Sequence, residues 1–288
     1  MLLHADALLI LAVALLADAL IGDPDAVWRR VPHPVTWIGM LIARLDAGLN
    51  DPARSDRFRR RAGVGALAAL VGVSVLAGVA VEAALRGLPG HVLTIGAVAS
   101  ILLAQKSLHV HVARVAAGLD AGGLAAGRRA VSMIVGRDPD SLDEAGVCRA
   151  AIETAAENFS DGIVAPVFWF ALLGLPGLIA YKAVNTADSM IGHLSARHRD
   201  FGWASARFDD LVNVVPARLA GLLVALSAPF GGGSIMTALR VMRRDARLHR
   251  SPNAGWPEAA MAGALGLALA GPRRYGERIV DDLFLNAE

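Results

Sequence analysis

The sequence predicts an all-α, polytopic integral membrane protein with about four to five membrane segments, some of which can be re-entrant, and with cytoplasmic helical loops. The 288 residues are 55% hydrophobic, with a mean hydropathy of +0.49, yet 19% of them are charged. This composition is too apolar for a typical soluble domain and too charged for a protein buried wholly in lipid. There is no internal repeat and no low-complexity linker, so residues 1–288 are predicted to form one domain.

Cysteine content and missing motifs exclude several classes of site. A single cysteine, Cys148, rules out an intrachain disulfide and a cysteine zinc cluster. The sequence contains no Gly-x-x-x-x-Gly-Lys-Ser/Thr loop, no Gly-x-Gly-x-x-Gly fingerprint and no His-Glu-x-x-His pair. If a nucleotide is used, its phosphates must therefore be held by metal-bridging carboxylates and by arginines.

The N-terminal part is predicted to contain one membrane helix and one cytoplasmic loop. Residues 1–21 are apolar with no preceding Lys or Arg, which favours an uncleaved helix over a secretory signal peptide. Asp18 within it is either a functional group in the membrane or a boundary residue solvated beside Asp23. Residues 28–61 contain eight arginines, so this loop is predicted to be cytoplasmic. Within the loop, His33 lies between two prolines and is predicted to be a turn residue that opens an amphipathic segment.

The next segments alternate between membrane and loop. Residues 63–85 are the clearest span, and a short external turn at residues 86–90 follows them. Residues 92–108 are predicted to return the chain to the cytoplasm, where residues 109–135 have a soluble amphipathic pattern.

The C-terminal third contains shorter apolar stretches. Residues 219–230 are too few to span alone, so that helix must begin near Leu211 or turn back at the glycines of residues 231–233. Residues 235–250 are strongly basic and are predicted to lie against anionic lipid headgroups. A half-length apolar helix is predicted at residues 259–270, followed by a polar tail.

The apolar run of residues 163–184 admits two interpretations. As one straight helix, its 22 residues could cross the ~30 Å hydrocarbon core and would put Asp161 and Asp188 on opposite sides. As a hairpin, it would reverse at residues 174–177, which contain two glycines and a proline, and broken helices of this kind often mark a binding site. Gly and Pro also occur in ordinary membrane helices, so both interpretations stay open, with the hairpin preferred.

A row of carboxylates precedes this run. Glu153, Glu157 and Asp161 are four residues apart, so a helix carries them along one face, where like charges repel by a few tenths of a kcal/mol per pair. Such a row is most readily kept when a cation or a polyanion–metal complex lies against it. Ser141, with Glu144 three residues later, predicts a capping box at the start of this helix. Three further polar residues flank the row and the apolar run: Asn158, Asn185 and Asp188.

A second polar stretch, residues 206–218, leads into the next apolar segment. Asp209 and Asn213 share a helical face, and Arg218 lies about a turn further on. Asp209 and Asp210 are adjacent, and an acidic pair of this type is either solvated or binds a metal or phosphate, so both interpretations stay open. The turn-rich loop of residues 251–258 has polar atoms that can hold a phosphate.

Several short motifs are weak singly but highly specific in this order. They are Asp18…Gly22-Asp23-Pro24, His33-Pro34-Val35, Gly136-Arg137-Asp138, Glu153…Glu157-Asn158…Asp161-Gly162, Asn185-Thr186…Asp188-Ser189-Met190, Ala206-Arg207…Asp209-Asp210…Asn213…Pro216-Ala217-Arg218 and Ser251-Pro252-Asn253-Ala254-Gly255. In this series the chain resembles, almost end to end, the adenosylcobinamide-phosphate synthase family, the CobD/CbiB membrane proteins of cobalamin biosynthesis. Two positions depart from the family pattern: Pro139 replaces a hydroxyl residue, and Leu269-Ala270-Gly271 replaces a Gly-Gly pair.

The resemblance implies a carbon–nitrogen ligase. Such an enzyme joins adenosylcobyric acid, through a corrinoid propionate, to aminopropanol or its O-phosphate and so forms adenosylcobinamide or its phosphate. ATP is the implied co-substrate and Mg²⁺ the implied cofactor, and activation of the propionate as an acyl phosphate is the simplest route. Besides the two substrates, the implied partners are the lipid bilayer and either other cobalamin-biosynthesis enzymes or further copies of the chain, without nucleic acid. The implied location is the cell inner membrane, with a multi-pass topology and an active site facing the cytoplasm.

The resemblance also implies roles for individual residues, most of which lie within a catalytic segment, residues 136–218. The implied Mg²⁺ ligands are Glu157, Asp161 and Asp188. Asn158 and Asn185 orient the reacting carboxylate or amine, and Glu153 is the candidate base. Phosphate is held by Arg137, Arg207 and Arg218. The remaining substrate-binding candidates are His33, Asp138, Asp209, Asp210, Asn213, Ser251 and Asn253.

Two other functions remain as alternatives. One is a membrane Mg²⁺-dependent transferase acting on a prenyl or alcohol phosphate, and the other is a non-catalytic transporter or scaffold for corrinoid enzymes. The ligase hypothesis requires the polar residues before and after the apolar run of residues 163–184 to converge on one pocket that faces the cytosol.

Overall fold

The computed structural model describes residues 6–135, 138–275, 278–280 and 282–287, and the predicted all-α class is confirmed. The chain divides into two compact units. The first unit contains residues 1–104 and 165–213, and the second contains residues 105–164 and 214–288.

The described part of the first unit consists of seven helices. They are α1 (Ala7–Leu20), α2 (Asp25–Trp28), α3 (Pro34–Leu49), α4 (Asp56–Arg86), α5 (His91–Ser100), α8 (Ala165–Ile191) and α9 (Trp203–Val212). One core of this unit is formed by Ile10, Ile95, Phe170, Leu175 and Leu178, which are almost completely buried. This core joins α1 and α5 to both halves of α8.

The second unit contains helices and short strands. Its helices are α6 (Gln105–Val131), α7 (Glu144–Phe159), α10 (Val214–Ser227), α11 (Ile235–Asp245) and α12 (Gly255–Leu265), with a π-helical turn at Ser160–Val164 and 3₁₀ turns at Pro139–Ser141, Ala228–Gly231 and Ala246–Leu248. Its strands are β1 (Leu269–Ala270), β2 (Arg273–Tyr275), β3 (Arg278–Val280) and β4 (Phe284–Leu285). β1 pairs with β4 and β2 with β3, both antiparallel. The helix predicted at residues 259–270 is wrong at its end, because α12 ends at Leu265 and β1 follows, and the tail that was predicted only as polar contains the other three strands.

Four helical segments are long and apolar enough to cross a membrane, which agrees with a polytopic protein. They are Asp56–Arg86, His91–Val131, Glu144–Ile191 and Val214–Gly231. The first predicted span is shorter than expected, because α1 has only 14 residues and would measure about 21 Å. The span predicted at residues 92–108 is also interrupted, because α5 ends at Ser100 and α6 begins at Gln105.

The chain reverses within α8, as the hairpin interpretation predicted. Gly174 has φ 69° and ψ −154°, a conformation that only glycine adopts without strain. A Cβ atom at Gly177 would lie 2.5 Å from the carbonyl oxygen of Trp169, although eight residues of straight helix would separate them by about 12 Å. The two half-helices therefore pack against each other.

The hairpin is held by a side chain from α4. Glu82 Oε2 accepts a hydrogen bond of 2.8 Å from the N–H of Leu175, the first residue after the break. Its other oxygen, Oε1, accepts one of 2.9 Å from Arg86 Nε. A buried carboxylate thus satisfies a backbone donor that the interruption of the helix leaves without an intrahelical partner.

The start of α7 differs from its prediction. The capping box at Ser141 is wrong, because Ser141 belongs to the 3₁₀ turn before the helix. Asp143 is the N-cap instead, and its Oδ1 accepts a 2.7 Å hydrogen bond from the N–H of Gly146. Asp residues are favoured at this position for the same reason as Ser.

Candidate functional site

Five polar residues of the first unit form what we call the α8–α9 cluster. They are Asn185, Asp188, Asp209, Asp210 and Asn213. Asn185 and Asp188 are three residues apart near the end of α8 and therefore share a face. Asn185 Nδ2 donates to Asp209 Oδ1 over 3.5 Å, and Asn213 Nδ2 donates to Asp209 Oδ2 over 3.0 Å. The structure therefore brings the polar residues at the end of α8 together with those of the second polar stretch that lie on α9 and at its end.

The carboxyl group of Asp209 lies in an unfavourable place for a charge. Its side chain is only 9% exposed. Burial and the nearby negative charge of Asp188 raise its pKa to about 7, although hydrogen bonds from Asn213 and Asn185 act in the opposite direction. Burial also raises the pKa of Asp210, against the effect of Arg207. Because of burial and mutual repulsion, the carboxyl groups of the cluster are harder to ionise than carboxyl groups in water.

An apolar cavity of about 310 Å³ adjoins the cluster in the same unit. Its walls include Trp169, Tyr181 and Phe208. Tyr181 connects the cavity to the α8–α9 cluster, because its hydroxyl donates a 3.0 Å hydrogen bond to Asn213 Oδ1. Trp169 Nε1 donates to the carbonyl of Val212 over 3.2 Å, which ties the other half of the hairpin to the end of α9.

The predicted carboxylate row lies in the second unit and is less regular than expected. Glu153 is buried on α7, and its Oε1 accepts a 2.7 Å hydrogen bond from the N–H of Ala270 in β1. Glu157 and Asn158 are exposed near the end of the helix. Asp161 lies in the π-helical turn, so the α-helical spacing that would align all three carboxylates stops at Phe159. Turns of this type occur frequently at functional sites.

Arg218 and the loop before α12 form a second polar group in this unit. Arg218 Nη1 donates to Asn253 Oδ1 over 2.8 Å, and the guanidinium stands 4.5 Å from the centre of the Trp256 ring. Ser251 Oγ accepts hydrogen bonds from the N–H groups of Asn253 and Ala254, each 3.2 Å long. Ser251 therefore shapes the loop, and Asn253 positions the arginine.

Other predicted residues lie elsewhere. His33 caps α3 by accepting from the N–H of Val35, which confirms its predicted place in a turn. Asp138 caps the 3₁₀ turn through the N–H of Asp140. Arg207 is exposed and pairs with Asp210 at 3.5 Å. Arg137, predicted to hold phosphate, lies outside the described residues.

With this geometry described, comparison with known proteins identifies the family. A family model described as CobD/Cbib protein matches residues 11–288. The chain belongs to this family. The family that the sequence motifs predicted is thereby confirmed.

Relatives of this CobD/Cbib chain are similar along nearly their whole length. The cobalamin biosynthesis protein CobD of Rhizobium meliloti is 55% identical, over 99% of this chain and 88% of the relative. The protein of the same name from Brucella suis is 55% identical, over 97% of this chain and 86% of the relative. The protein of the same name from Rhodobacter capsulatus is 55% identical, over 96% of this chain and 86% of the relative. No solved structure matches the chain.

The donor atoms of the α8–α9 cluster fit Mg²⁺. Among the described residues, no group of three or more His, Cys, Asp or Glu side chains is arranged to hold a metal. Mg²⁺ does not need one, since it is commonly bound by one or two carboxylates together with substrate phosphates. Asp188 and Asp209 offer only hard oxygen ligands, and a cation would relieve their mutual repulsion.

Two residues that shape the site of this CobD/Cbib protein were not predicted. Tyr181 is four residues before Asn185, so helical spacing from a predicted residue could have identified it. Glu82 could not have been found in this way, because its partner Leu175 is 93 residues away.

Proposed function

We propose that the chain is an adenosylcobinamide-phosphate synthase, which forms an amide between a corrinoid propionate and aminopropanol or its O-phosphate with consumption of ATP. The chain takes part in cobalamin biosynthesis, as its family and the name of its relatives indicate. The observation that supports the specific reaction is the pair of carboxylates in the α8–α9 cluster, Asp188 and Asp209, whose charges are close enough to interact. A pair of this kind suits a metal that bridges nucleotide phosphates.

The carboxylates are the proposed ligands of that metal. Asp188, with Asp209 beside it, is the candidate in the first unit, and Glu157 and Asp161 are the candidates in the second unit. When bound, Mg²⁺ neutralises the negative charge that develops on the phosphates. Arg207 and Arg218 hold phosphate groups, the latter already oriented by Asn253 and Trp256.

The proposed reaction has two steps. A propionate oxygen attacks the terminal phosphorus of ATP, giving an acyl phosphate and ADP. The amine nitrogen then attacks the acyl carbon, the C–N bond forms, the bond to the phosphate oxygen breaks, and a base takes the amine proton. Asn158 and Asn185 orient the reacting carboxylate or amine. Glu153 remains a predicted base, although one of its oxygens already binds Ala270.

The remaining assignments are carried forward as part of the proposal. We propose that the protein lies in the inner membrane with its active site towards the cytoplasm, and that it works beside other cobalamin-biosynthesis enzymes or as a homo-oligomer. The further substrate-contacting candidates are His33, Arg137, Asp138, Asp210, Asn213, Ser251 and Asn253.

The direct test supplies the purified protein, in detergent or nanodiscs, with adenosylcobyric acid, ATP, Mg²⁺ and isotopically labelled aminopropanol or aminopropanol phosphate. We expect label in a corrinoid amide, with one ADP per amide, and the preferred amine identifies the true substrate. Asp188→Asn should lower turnover by about 100-fold or more while insertion and folding stay normal. Label in a different product, or full turnover by this variant, would overturn the proposal.

A further inference from the structure

Two histidines after α8 lie in direct contact in the first unit. His198 Nδ1 is 3.3 Å from His193 Nε2, and the two rings meet edge to face with centroids 4.9 Å apart. His193 is exposed, whereas His198 is mostly covered, with a side chain 14% exposed. The pair therefore has one end in solvent and one end inside the protein.

The inner end faces a fixed carboxylate. His198 Nε2 lies 3.5 Å from Asp46 Oδ2. Asp46 accepts hydrogen bonds from Asn50 Nδ2 (2.7 Å) and from Arg197 Nε (3.0 Å) and Nη2 (2.7 Å). Although burial acts to raise its pKa, the hydrogen bonds from Asn50 and Arg197 hold the pKa of Asp46 below the usual value. Asp46 is therefore a permanent negative charge behind the imidazole of His198.

This arrangement favours one tautomer of each ring. Nε2 of His198 is buried and faces the Asp46 carboxylate at 3.5 Å without a hydrogen bond. The facing carboxylate favours a proton on this nitrogen, and Nδ1 is then an acceptor that lies 3.3 Å from both Ser195 Oγ and His193 Nε2. His193 then donates from Nε2 to that acceptor, which leaves its own Nδ1 with a lone pair.

The outer end of this chain lies beside the α8–α9 cluster. His193 directly follows Gly192, whose N–H donates a 2.7 Å hydrogen bond to the carbonyl of Asp188. Any side chain at Gly192 would overlap the Asp188 carboxylate, so the backbone passes directly over it. His193 also lies within electrostatic range of Asp188.

We propose that His193 is the base that takes the amine proton, and that His198 and Asp46 are positioning residues that orient it. This inference rests on the proposed function. As the amine nitrogen bonds to the acyl carbon and phosphate departs, the N–H proton moves to His193 Nδ1, and the positive charge is stabilised through His198 by Asp46. The charged groups that surround this chain are Asp188 at the outer end and Asp46, Arg197 and Arg59 at the inner end.

The kinetic test compares four variants in the amide-forming assay across pH 6–9. His193→Gln should lower kcat by about 10²–10⁴-fold with little change in KM and should remove the acidic limb of the kcat profile. Imidazole added to His193→Ala should restore part of the rate. Asp46→Asn should lower kcat while KM stays unchanged, because the ring of His193 is less well oriented. His109→Gln removes an exposed imidazole of the second unit and should behave as wild type.

The competing base is tested in the same assay. If Glu153→Gln abolishes the acidic limb and His193→Gln retains it, Glu153 is the base and the proposal is wrong. Full kcat in His193→Gln would overturn it equally.

A second measurement does not depend on the reaction, so it separates failure of this inference from failure of the proposed function. Nitrogen-15 NMR of the histidine-labelled protein, with the His193 signals assigned by their loss in His193→Gln, reports which ring nitrogen of His193 carries the proton. We expect the proton on Nε2 in the wild type and a mixture of both tautomers in His198→Leu, where the acceptor of Nε2 is lost. His193 signals that do not change in His198→Leu would show that His198 does not orient His193, whether or not the wild type forms an amide.

Discussion

At the scale of single residues, Asp209 is held between two amides and the charge of Asp188. Its raised pKa has a consequence for stability. In the unfolded chain the Asp209 carboxyl ionises with the ordinary aspartate pKa of 3.8, whereas in the folded protein its pKa is about 7. The folded state thus binds an extra proton between these values, and Asp209 makes the protein less stable as pH rises through this window.

We therefore expect Asp209→Asn to raise the thermal unfolding temperature, and to do so more at pH 8 than at pH 5. The asparagine keeps the shape and removes the buried charge. Melting curves of the detergent-solubilised protein at both pH values measure the effect. Asp210→Asn is the matched control, because Asp210 is more exposed and pairs with Arg207, so its effect should be smaller. An equal effect of Asp209→Asn at both pH values would contradict the assignment.

Side-chain chemistry and spacing in the sequence predicted the residues of the α8–α9 cluster but not their contacts. Asn185, Asp188, Asp209 and Asn213 could be singled out because polar side chains next to apolar helices are costly unless they are used. Their direct contacts could not be predicted, because the 3.5 Å hydrogen bond between Asn185 and Asp209 depends on how α9 packs on α8. A role for His193 could not be predicted for a related reason. Its contacts with His198 and, through His198, with Asp46 exist only in the folded protein.

At the scale of elements, the hairpin of α8 depends on a carboxylate from α4. Glu82→Leu should destabilise the protein by about 1–3 kcal/mol, because the buried N–H of Leu175 loses its acceptor. Glu82→Gln retains a carbonyl oxygen at the same place and should cost less. Denaturant unfolding in mixed micelles measures both variants. If the two destabilise equally, the ion pair with Arg86 matters and the cap on Leu175 does not.

The same element shows what helical periodicity can and cannot predict. Gly174 and Pro176 indicated a possible break, but a proline kink and a full reversal have the same local sequence. The reversal is visible only in the approach of Gly177 to Trp169 and in the shared anchoring of Trp169 and Tyr181 at the end of α9. Directly after α7, the π-helical turn likewise displaces Asp161 from the row that regular spacing predicted.

At the scale of the whole molecule, the cytoplasmic orientation of the active site is open to a labelling experiment. In a Cys148→Ser background, since Cys148 is exposed, Asn158→Cys and Ser189→Cys place thiols at exposed positions beside the two polar stretches. A membrane-impermeant maleimide should label both in inverted vesicles and neither in intact spheroplasts. Leu88→Cys, in the predicted external turn, should show the reverse pattern. Labelling of the first two from opposite sides would contradict a common cytosol-facing pocket.

The sequence by itself determined that this is a helical membrane protein of the CobD/CbiB family, and it identified most of the acidic and amide residues of the candidate site. These properties follow from composition, local periodicity and side-chain chemistry, which act over one or two helical turns. The tertiary structure decided that α8 reverses, that Glu82 caps it, that Asp209 is buried beside Asp188, and that two histidines connect Asp46 to the edge of the cluster. Each of these depends on contacts between residues far apart in the chain, whose free energy is realised only when the helices pack together.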